Sequence, residues 1–393
     1  MNKNDCDVAI IGGGLAGGLI ALAFAERRPD VSVRLIEAGP TLGGRHRWSW
    51  FASDLSPEGE GLMTKFAPTV WEEGYEVHFP RHRRHLLTPY ASLSSVQFAA
   101  SLERLLPDGA ILPNSPVASL DAAGVTLVSG ERIAASAVID CRGFSPTPHL
   151  RGGWQVFLGH HLRTVEPHGV TRPLIMDATV GQTGGYRFVY VLPLGEHDLF
   201  VEDTYYQNRP TLDDEALSRR LDRYTSRKKW SGETMDIETG VLPVVTGGNF
   251  AAWQAERRIE GVARAGAHAG FQHPLTSYTL PFAVSTALAV AGAADLSGPG
   301  LAALLDDRAR AHWAHTRFYR RLGSMMLGAS PADKRWKVFA RFYHLRTDLI
   351  ERFYAGRSTR ADRLRILCGK PPVSPLRALK ALVTSRAALQ AAQ

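Results

Sequence analysis

The chain has 393 residues, 45% of them hydrophobic, and a formal net charge of +8 at pH 7, so it can bury a large core in two or three structural units. Three cysteines, Cys6, Cys141 and Cys368, have neither metal nor redox spacing, which argues against a disulfide framework and for a reducing compartment. The basic excess gathers at 81–85, at 227–229 and beyond Arg308, where it alternates with Trp313, Phe318, Tyr319, Trp336, Phe342, Tyr343, Phe353 and Tyr354; such a surface suits nucleic acid or an anionic membrane, and equally a solvated face on ordinary core helices.

An apolar strand over 8–11 runs into Gly12-Gly13-Gly14-Leu15-Ala16-Gly17, and a second apolar strand, 31–36, ends at Glu37 and Ala38. The glycines do different things. Gly12 allows the tight turn, Gly14 lets backbone N–H groups approach a pyrophosphate, and Gly17 lets helix pack on strand. Glu37 then accepts ribose hydroxyls, so 6–37 reads as the first βαβ element of a dinucleotide-binding sheet. The same stretch has the outline of a secretory leader, with uncharged 8–25, Ala23-Phe24-Ala25 and a basic Lys3. Asp5, Asp7 and the glycines at 12, 13, 14, 17 and 18 fit the Rossmann turn instead, and the expectation is a retained N-terminus on a cytoplasmic protein.

Gly43-Gly44-Arg45-His46-Arg47-Trp48-Ser49-Trp50 reads as a loop along the cofactor, too glycine-rich and too basic for a core. Helical periodicity covers 94–106, short strands are expected at 116–120, 125–128 and 132–134, and 137–143 reads as a buried parallel strand returning to the cofactor sheet with Asp140 near its end. Between 150 and 250 the texture turns to alternating, aromatic-rich strands; 186–191 and 198–205 form a hairpin around Gly195. The segment 261–270 reads as a strand and glycine loop, followed by a helix opening near Thr279 with Pro281 in its first turn. That apolar stretch, 280–294, is too short to span a membrane and holds Pro281, Ser285 and Thr286.

These strings carry a closer likeness. Pro173-Leu174-Ile175-Met176-Asp177-Ala178-Thr179-Val180, Gly185-Tyr186-Arg187-Phe188-Val189-Tyr190-Val191-Leu192-Pro193-Leu194, Val201-Glu202-Asp203-Thr204 and His273-Pro274 resemble the bacterial lycopene β-cyclases. The resemblance runs from the N-terminal fingerprint to Asp362-Arg363-Leu364-Arg365-Ile366-Leu367 and Gly369-Lys370-Pro371-Pro372, nearly the whole chain. It implies an α/β fold like that of the flavoprotein monooxygenases: a Rossmann-type FAD-binding domain (1–70, 93–150 and 256–301), an inserted antiparallel β substrate domain (71–92 and 151–255) and a C-terminal helical, basic-aromatic region (302–393). The implied enzyme is an isomerase, an intramolecular lyase that converts lycopene through γ-carotene to β-carotene with reduced FAD, NAD(P)H as electron source and no net redox change. Implied partners are those carotenoids and an anionic membrane surface rather than nucleic acid, with peripheral placement on the inner membrane; the oligomeric state is left open.

By the same resemblance the acidic motif falls on Glu202-Asp203. Neighbouring strand residues point to opposite faces, so one of the two enters the cavity; Glu202 is the first choice and Asp203 the second, while spacing alone equally fits two solvated carboxylates. Trp48 and Trp50 match the family's aromatic pair and, with Phe188, Tyr190 and Tyr278, are the expected substrate contacts, though core packing suits either tryptophan. The family's aspartate in the glycine return is replaced by Gly266-Ala267-His268 here, so cofactor contacts fall to Arg45, His46, Asp140, Gly266 and His268, the last of which fits a structural role as well. His273-Pro274-Leu275-Thr276-Ser277-Tyr278 departs from the family's H-P-T-T-G-Y by a threonine and a glycine; His273 and Pro274 remain cofactor candidates. The 81–85 cluster reads as a solvated or phosphate-contacting edge. The same fold also suits an FAD-dependent isoprenoid or carotenoid reductase or hydroxylase, or a flavin-bound membrane-associated protein without turnover.

Overall fold

The strand β1 (Cys6–Ile11) is buried at every position but Asp7, as a central strand of a parallel sheet must be. It turns through Gly12, whose φ of +97° favours glycine, into α1 (Leu15–Arg27), buried from Leu15 through Phe24. The computed structural model describes residues 5–182, 185–368, 374–384 and 386–390; Lys3 and the Gly369-Lys370-Pro371-Pro372 string lie outside them. After α1 come β2 (Val33–Ile36), β3 (Arg47–Phe51), α2 (Pro57–Met63), β4 (Thr69–Trp71), β5 (Tyr75–Phe79), β6 (His82–Leu86), β7 (Tyr90–Ser94), α3 (Ser95–Leu105), β8 (Ile111–Leu112), β9 (Val117–Asp121), β10 (Gly124–Leu127) and β11 (Arg132–Asp140). The middle of the chain holds β12 (Thr147–Thr164), β13 (Leu174–Asp177), β14 (Tyr186–Pro193), β15 (Asp198–Gln207), α4 (Asp214–Lys228), β16 (Gly232–Gly248) and α5 (Phe250–Glu256). The return is β17 (Val262–Arg264), α6 (Gly266–Ala269) and α7 (Leu280–Ala291), and the end is α8 (Gly298–His315), α9 (Arg317–Ala329), α10 (Trp336–Phe342), α11 (Thr347–Tyr354), α12 (Arg360–Leu367), α13 (Pro375–Val383) and β18 (Ala388–Leu389).

Two large sheets result. The first has the order β8-β2-β1-β11-β10-β9 with β17 beside β11, and β8, β2, β1, β11 and β17 run parallel. The second has the order β16-β12-β15-β14-β13-β5-β6 with β18 on β12, and is antiparallel except between β13 and β5. A small sheet of β3, β7 and β4 lies apart.

Several local readings change. The expected break at 135–136 does not occur: β11 is continuous, because Ala135 keeps the inward alternation of Ile133 and Ala137. Residues 47–51 are strand rather than loop, paired with β7 from Arg47↔Ser94 to Phe51↔Tyr90. The expected glycine loop after β17 is the short helix α6. Within the stretch read as strands, α4 is capped by Asp213, buries Leu217, Leu221 and Tyr224, and stops at Lys229 in a left-handed conformation.

The aromatic stripe of the C-terminal helices is interior. Tyr319 and Tyr343 are fully buried and Phe353 and Tyr354 nearly so, in one cluster with Phe51, Tyr75, Tyr186 and Phe200. Burial of large rings outweighs any surface role for them. Within the 81–85 cluster, Arg84 braces this packing: it donates to the carbonyls of Tyr343 and Leu345 and to the Thr347 hydroxyl. Among the described residues, no helix is long and apolar enough to cross a membrane.

Candidate active site

A cavity of about 870 Å³ lies at the carboxyl ends of β1, β2 and β11, where ligands of such sheets bind. Gly12, Gly14, Leu15, Ala16, Glu37, Ala38 and His46 border it, with Gly266 and Ala267 from the return. A Cβ on Gly14 would meet no atom within 4 Å, so this glycine opens onto free space. No side chain caps α1, and its positive end is left to an anion. Gly17 acts differently: a Cβ there would come 2.1 Å from the Gly12 carbonyl oxygen, so its absence lets α1 seat on the turn. The two oxygens of Glu37 accept the Gly13 and Gly39 N–H groups at 2.7 Å, which holds the loop while leaving lone pairs for hydroxyl donors. Gly266, at φ +62°, fits against Ala16, where a Cβ would approach the alanine Cβ to 2.8 Å. Open space, a free helix end and an acidic strand terminus together fit a dinucleotide.

Asp140 and His268 stand behind this cavity, not in it. His268 Nε2 lies 3.3 Å from Asp140, which is 3% exposed and also holds Arg142 at 2.6 Å. Hydrogen bonds from His268 and Arg142 outweigh the burial that would raise it and hold the Asp140 carboxyl well below the usual range. It is Arg142 that borders the cavity. Arg45 is exposed and outside the lining.

A second cavity, about 200 Å³, meets the first at His46, Trp48, Leu242, Ser277 and Thr279. Phe157, Phe188, Tyr190, Phe200 and Tyr278 make it largely aromatic, and Glu202 is its acid. Strand alternation explains the assignment. Phe200, Glu202 and Tyr206 share one face of β15 and all border the cavity, whereas Asp203 points through the sheet to a buried two-pronged pair with Arg187, at 2.7 Å from both Nε and Nη2. In register, Tyr190 of β14, Glu202 of β15, Gly159 of β12 and Glu238 of β16 form one row across four strands.

Protein surrounds Glu202 on all sides while part of its surface faces the cavity. Burial pushes its carboxyl up to about 8 against the hydrogen bond from the Thr204 hydroxyl, and the charges of Glu238 and Asp203 add to the rise. It is therefore protonated at neutral pH. Burial likewise pushes Glu238 up to about 7, held down by Arg47, whose Nε is 3.7 Å from Glu238 Oε1 and whose guanidinium lies 5.2 Å from the Phe200 ring centre. The Tyr190 hydroxyl donates to Ser49 at 2.8 Å, and Tyr90 links it, at 2.9 Å, to Tyr278, at 3.1 Å.

Three further expected residues lie elsewhere. Trp50 borders neither cavity; it is 4% exposed in the core, because its side of β3 is covered by packing around α7. His273 is fully buried between Tyr319 and Phe353, with ring centroids 4.6 and 5.4 Å away, and its Nδ1 accepts the N–H groups of Leu275 and Thr276. Burial pushes it down to about 3, so it is a neutral pin for the loop that carries Ser277 and Thr279 to the cavities. Pro274 faces a separate small cleft beside Trp253 and Arg320. Sequence reasoning passed over Arg47, Ser49, Tyr90, Arg142 and Glu238; alternation along β16 does not single out Glu238, because the apolar Met235 and Ile237 before it are exposed while it is buried.

The chain matches the family model described as lycopene cyclase protein over residues 7–380. It is 42% identical to a lycopene beta-cyclase of Pseudescherichia vulneris over 93% of this chain and 94% of that one, and 40% identical to one of Pantoea ananas over 96% and 98%. A third, from Paracoccus sp. (strain N81106 / MBIC 01143), is 43% identical over 93% and 94%. Among solved structures, p-nitrophenol 4-monooxygenase PnpA from Pseudomonas putida DLL-E4 aligns with a TM-score of 0.59 at 16% identity, over 91% of this chain and 99% of that one. Xcc4156, a flavin-dependent halogenase from Xanthomonas campestris, aligns at 0.57 and 14%, over 97% and 94%. The fold is therefore that of the flavoprotein monooxygenases.

Proposed function

Since the chain belongs to the lycopene cyclase family, we infer that it is a lycopene β-cyclase that closes β rings on a linear carotenoid, through γ-carotene, by acid-initiated isomerisation. The observation that carries this reading is Glu202: a carboxyl kept protonated by burial, in an aromatic cavity that opens on the cofactor cavity. Its proton adds to a terminal alkene, forming a C–H bond and a tertiary cation. The next alkene closes on that cation, forming the ring C–C bond, and loss of a ring proton restores the double bond. Atoms and electrons balance with no net redox. The carboxylate that Glu202 becomes is the base nearest to hand for the last step. Phe157, Phe188, Tyr190 and Phe200 line the cavity, where they would exclude water and supply π systems that stabilise the cation.

FAD is the cofactor this reading places in the larger cavity, held by the Gly12–Gly14 turn, the α1 end, Glu37 and Arg142. In reduced form it supplies negative charge beside a developing cation, with a nicotinamide coenzyme as electron source. Peripheral docking on an anionic membrane would bring the protein to its lipid-soluble substrate. The test is anaerobic incubation with lycopene in liposomes, with and without prereduced FAD. β-Carotene formed without continuous consumption of reductant supports a cyclase; saturated or hydroxylated products would replace it with a reductase or hydroxylase.

A further inference from the structure

The cavity that holds Glu202 is too small for a whole carotenoid. At about 200 Å³ it falls below the roughly 300 Å³ at which ligand cavities begin, so it receives one end of a long molecule and the rest must lie elsewhere. A third cavity, about 430 Å³, adjoins it on the side away from the cofactor, and the two meet at Thr276, Phe339 and Tyr354. Its walls are Leu322, Met325 and Met326 of α9, Phe342 of α10, and Leu379 and Leu382 of α13.

The chemistry of those walls names the ligand. Besides Thr276, the polar side chains among them are Arg341 and Tyr354, and both are engaged: Arg341 donates to the carbonyls of Ile366, at 3.2 Å, and Cys368, and the Tyr354 hydroxyl meets that of Tyr343 at 2.6 Å. The cavity offers an apolar chain contact along its length with little to orient a polar group, and the paired methionines adapt their shape to it. Its rim is apolar as well. Leu379 and Leu382 line the interior while 61% and 42% exposed, beside Leu376 at 78% and Leu367 at 51%. The helix α13 sits on α9 through a small-residue contact, where a Cβ on Gly328 would come within 2.7 Å of the Ala381 Cβ.

We propose that this third cavity is an arm site: it holds the unreacted length of a linear, apolar polyene while one terminus is protonated at Glu202, and the polyene enters end-on past α13. The proposal rests on the lycopene cyclase reading and adds a second binding site to it. The small cavity admits only a single terminus, so on this proposal a long substrate would be handled one end at a time.

Met325→Trp fills the cavity from α9, and Met325→Leu keeps its volume. Both variants are assayed, with bound flavin and melting temperature as controls, on lycopene and on a short acyclic analogue that carries the same isoprenoid end without the long polyene. The expected result is that Met325→Trp lowers kcat/KM for lycopene roughly tenfold or more, chiefly through KM, because two or more buried methylene equivalents of contact are lost. The short analogue should lose far less than lycopene does, and Met325→Leu should keep much more lycopene turnover than Met325→Trp. Equal losses on both substrates, or none on either, would overturn the arm site. Binding is read independently from the shift of the polyene's visible absorption on mixing with protein. If the unaltered protein cyclises nothing, that failure belongs to the functional reading, and loss of the absorption shift in Met325→Trp alone would still support the arm site, while its persistence would sink it.

Discussion

Glu202 and Glu238 pair in register with the same residue, Gly159, from opposite sides, so two acids share one row on one face of the sheet. The strands they stand on are roughly 10 Å apart. Gly159 is small by necessity: a Cβ there would come 2.4 Å from the Phe200 ring, and its absence leaves room for that ring in front of the strand. Arg47 stands near both acids and pairs with Glu238, so its pull on the Glu202 proton is partly spent on the neighbouring carboxylate and the proton stays on Glu202.

Replacing Glu202 by Gln should retain the fold and the bound flavin yet slow cyclisation by about 10²–10⁴-fold, the usual worth of a general acid. Asp203→Asn should fail differently. Its pair with Arg187 is buried, with Asp203 fully covered, and neutralising one partner strands the other charge at a cost of about 3–5 kcal/mol. A melting curve separates the two: Glu202→Gln near the unaltered temperature, Asp203→Asn well below it. A Glu202→Gln variant that cyclises at full rate would remove the acid assignment.

The pH dependence follows from the direction of the shift. Glu202 is raised to about 8 from an ordinary 4.5, so the folded protein holds a proton that the unfolded chain releases. Stability from this group is therefore present below the unfolded value and is lost as pH rises toward 8, and activity falls over the upper part of that range as the acid ionises. Glu238, Asp203, Arg47 and Tyr190 are the charged and titratable groups that act on it. Glu238→Gln removes a like charge and frees Arg47 from its partner, and both changes ease ionisation of Glu202. The alkaline limb of the rate profile should therefore shift to lower pH. An upward shift in the measured profile would show that Glu238 does not repel Glu202. The limb describes the pair, so it is read as an apparent value.

The glycine turn offers a contrast between two neighbours. Gly14→Val should fold normally but lose FAD, because the new side chain occupies open space beside the α1 end where a Cβ meets nothing within 4 Å. Gly17→Ala should destabilise the protein itself by about 1–3 kcal/mol, its Cβ being driven to 2.1 Å from the Gly12 carbonyl oxygen. Absorbance of bound flavin and thermal unfolding distinguish them; a Gly14→Val protein that stays fully yellow would displace the cofactor from that turn.

What was legible in the sequence is local. The strand, turn and helix around Gly12, and the hairpin of β14 and β15 around Gly195, are written in contiguous periodicity, and alternation puts Glu202 and Asp203 on opposite faces without telling which face meets the cavity. What was not legible depends on pairing between distant segments. That β3 is a strand needs β7, that Glu238 shares a row with Glu202 needs the register of β12 against β16, and both partners lie far along the chain. The C-terminal aromatics misled for a related reason: charge interleaved with rings has the same pattern whether the rings face lipid or, like Tyr319 and Tyr343, a core.

On the proposed membrane docking, the contact would fall to aliphatic side chains rather than to the buried rings. Leu376, Leu379, Leu382 and Val383 on α13, with Leu364 and Leu367 on α12, are all more than 40% exposed, and Arg377 and Lys380 lie among them on α13. An exposed apolar strip flanked by cations suits an anionic lipid surface, the leucines entering the acyl boundary and the cations meeting headgroups. Sedimentation with vesicles should therefore show binding that favours anionic over neutral lipid and weakens with salt without vanishing, since screening acts on the charges and not on the leucines. Leu376→Ser combined with Val383→Ser, both 78% exposed, should weaken docking at every salt concentration and leave the melting temperature unchanged. Cyclisation of lycopene supplied in vesicles should drop in parallel, while lycopene supplied in detergent micelles should be turned over much as before. Unaltered sedimentation of the double variant would move the membrane contact to another face of the protein.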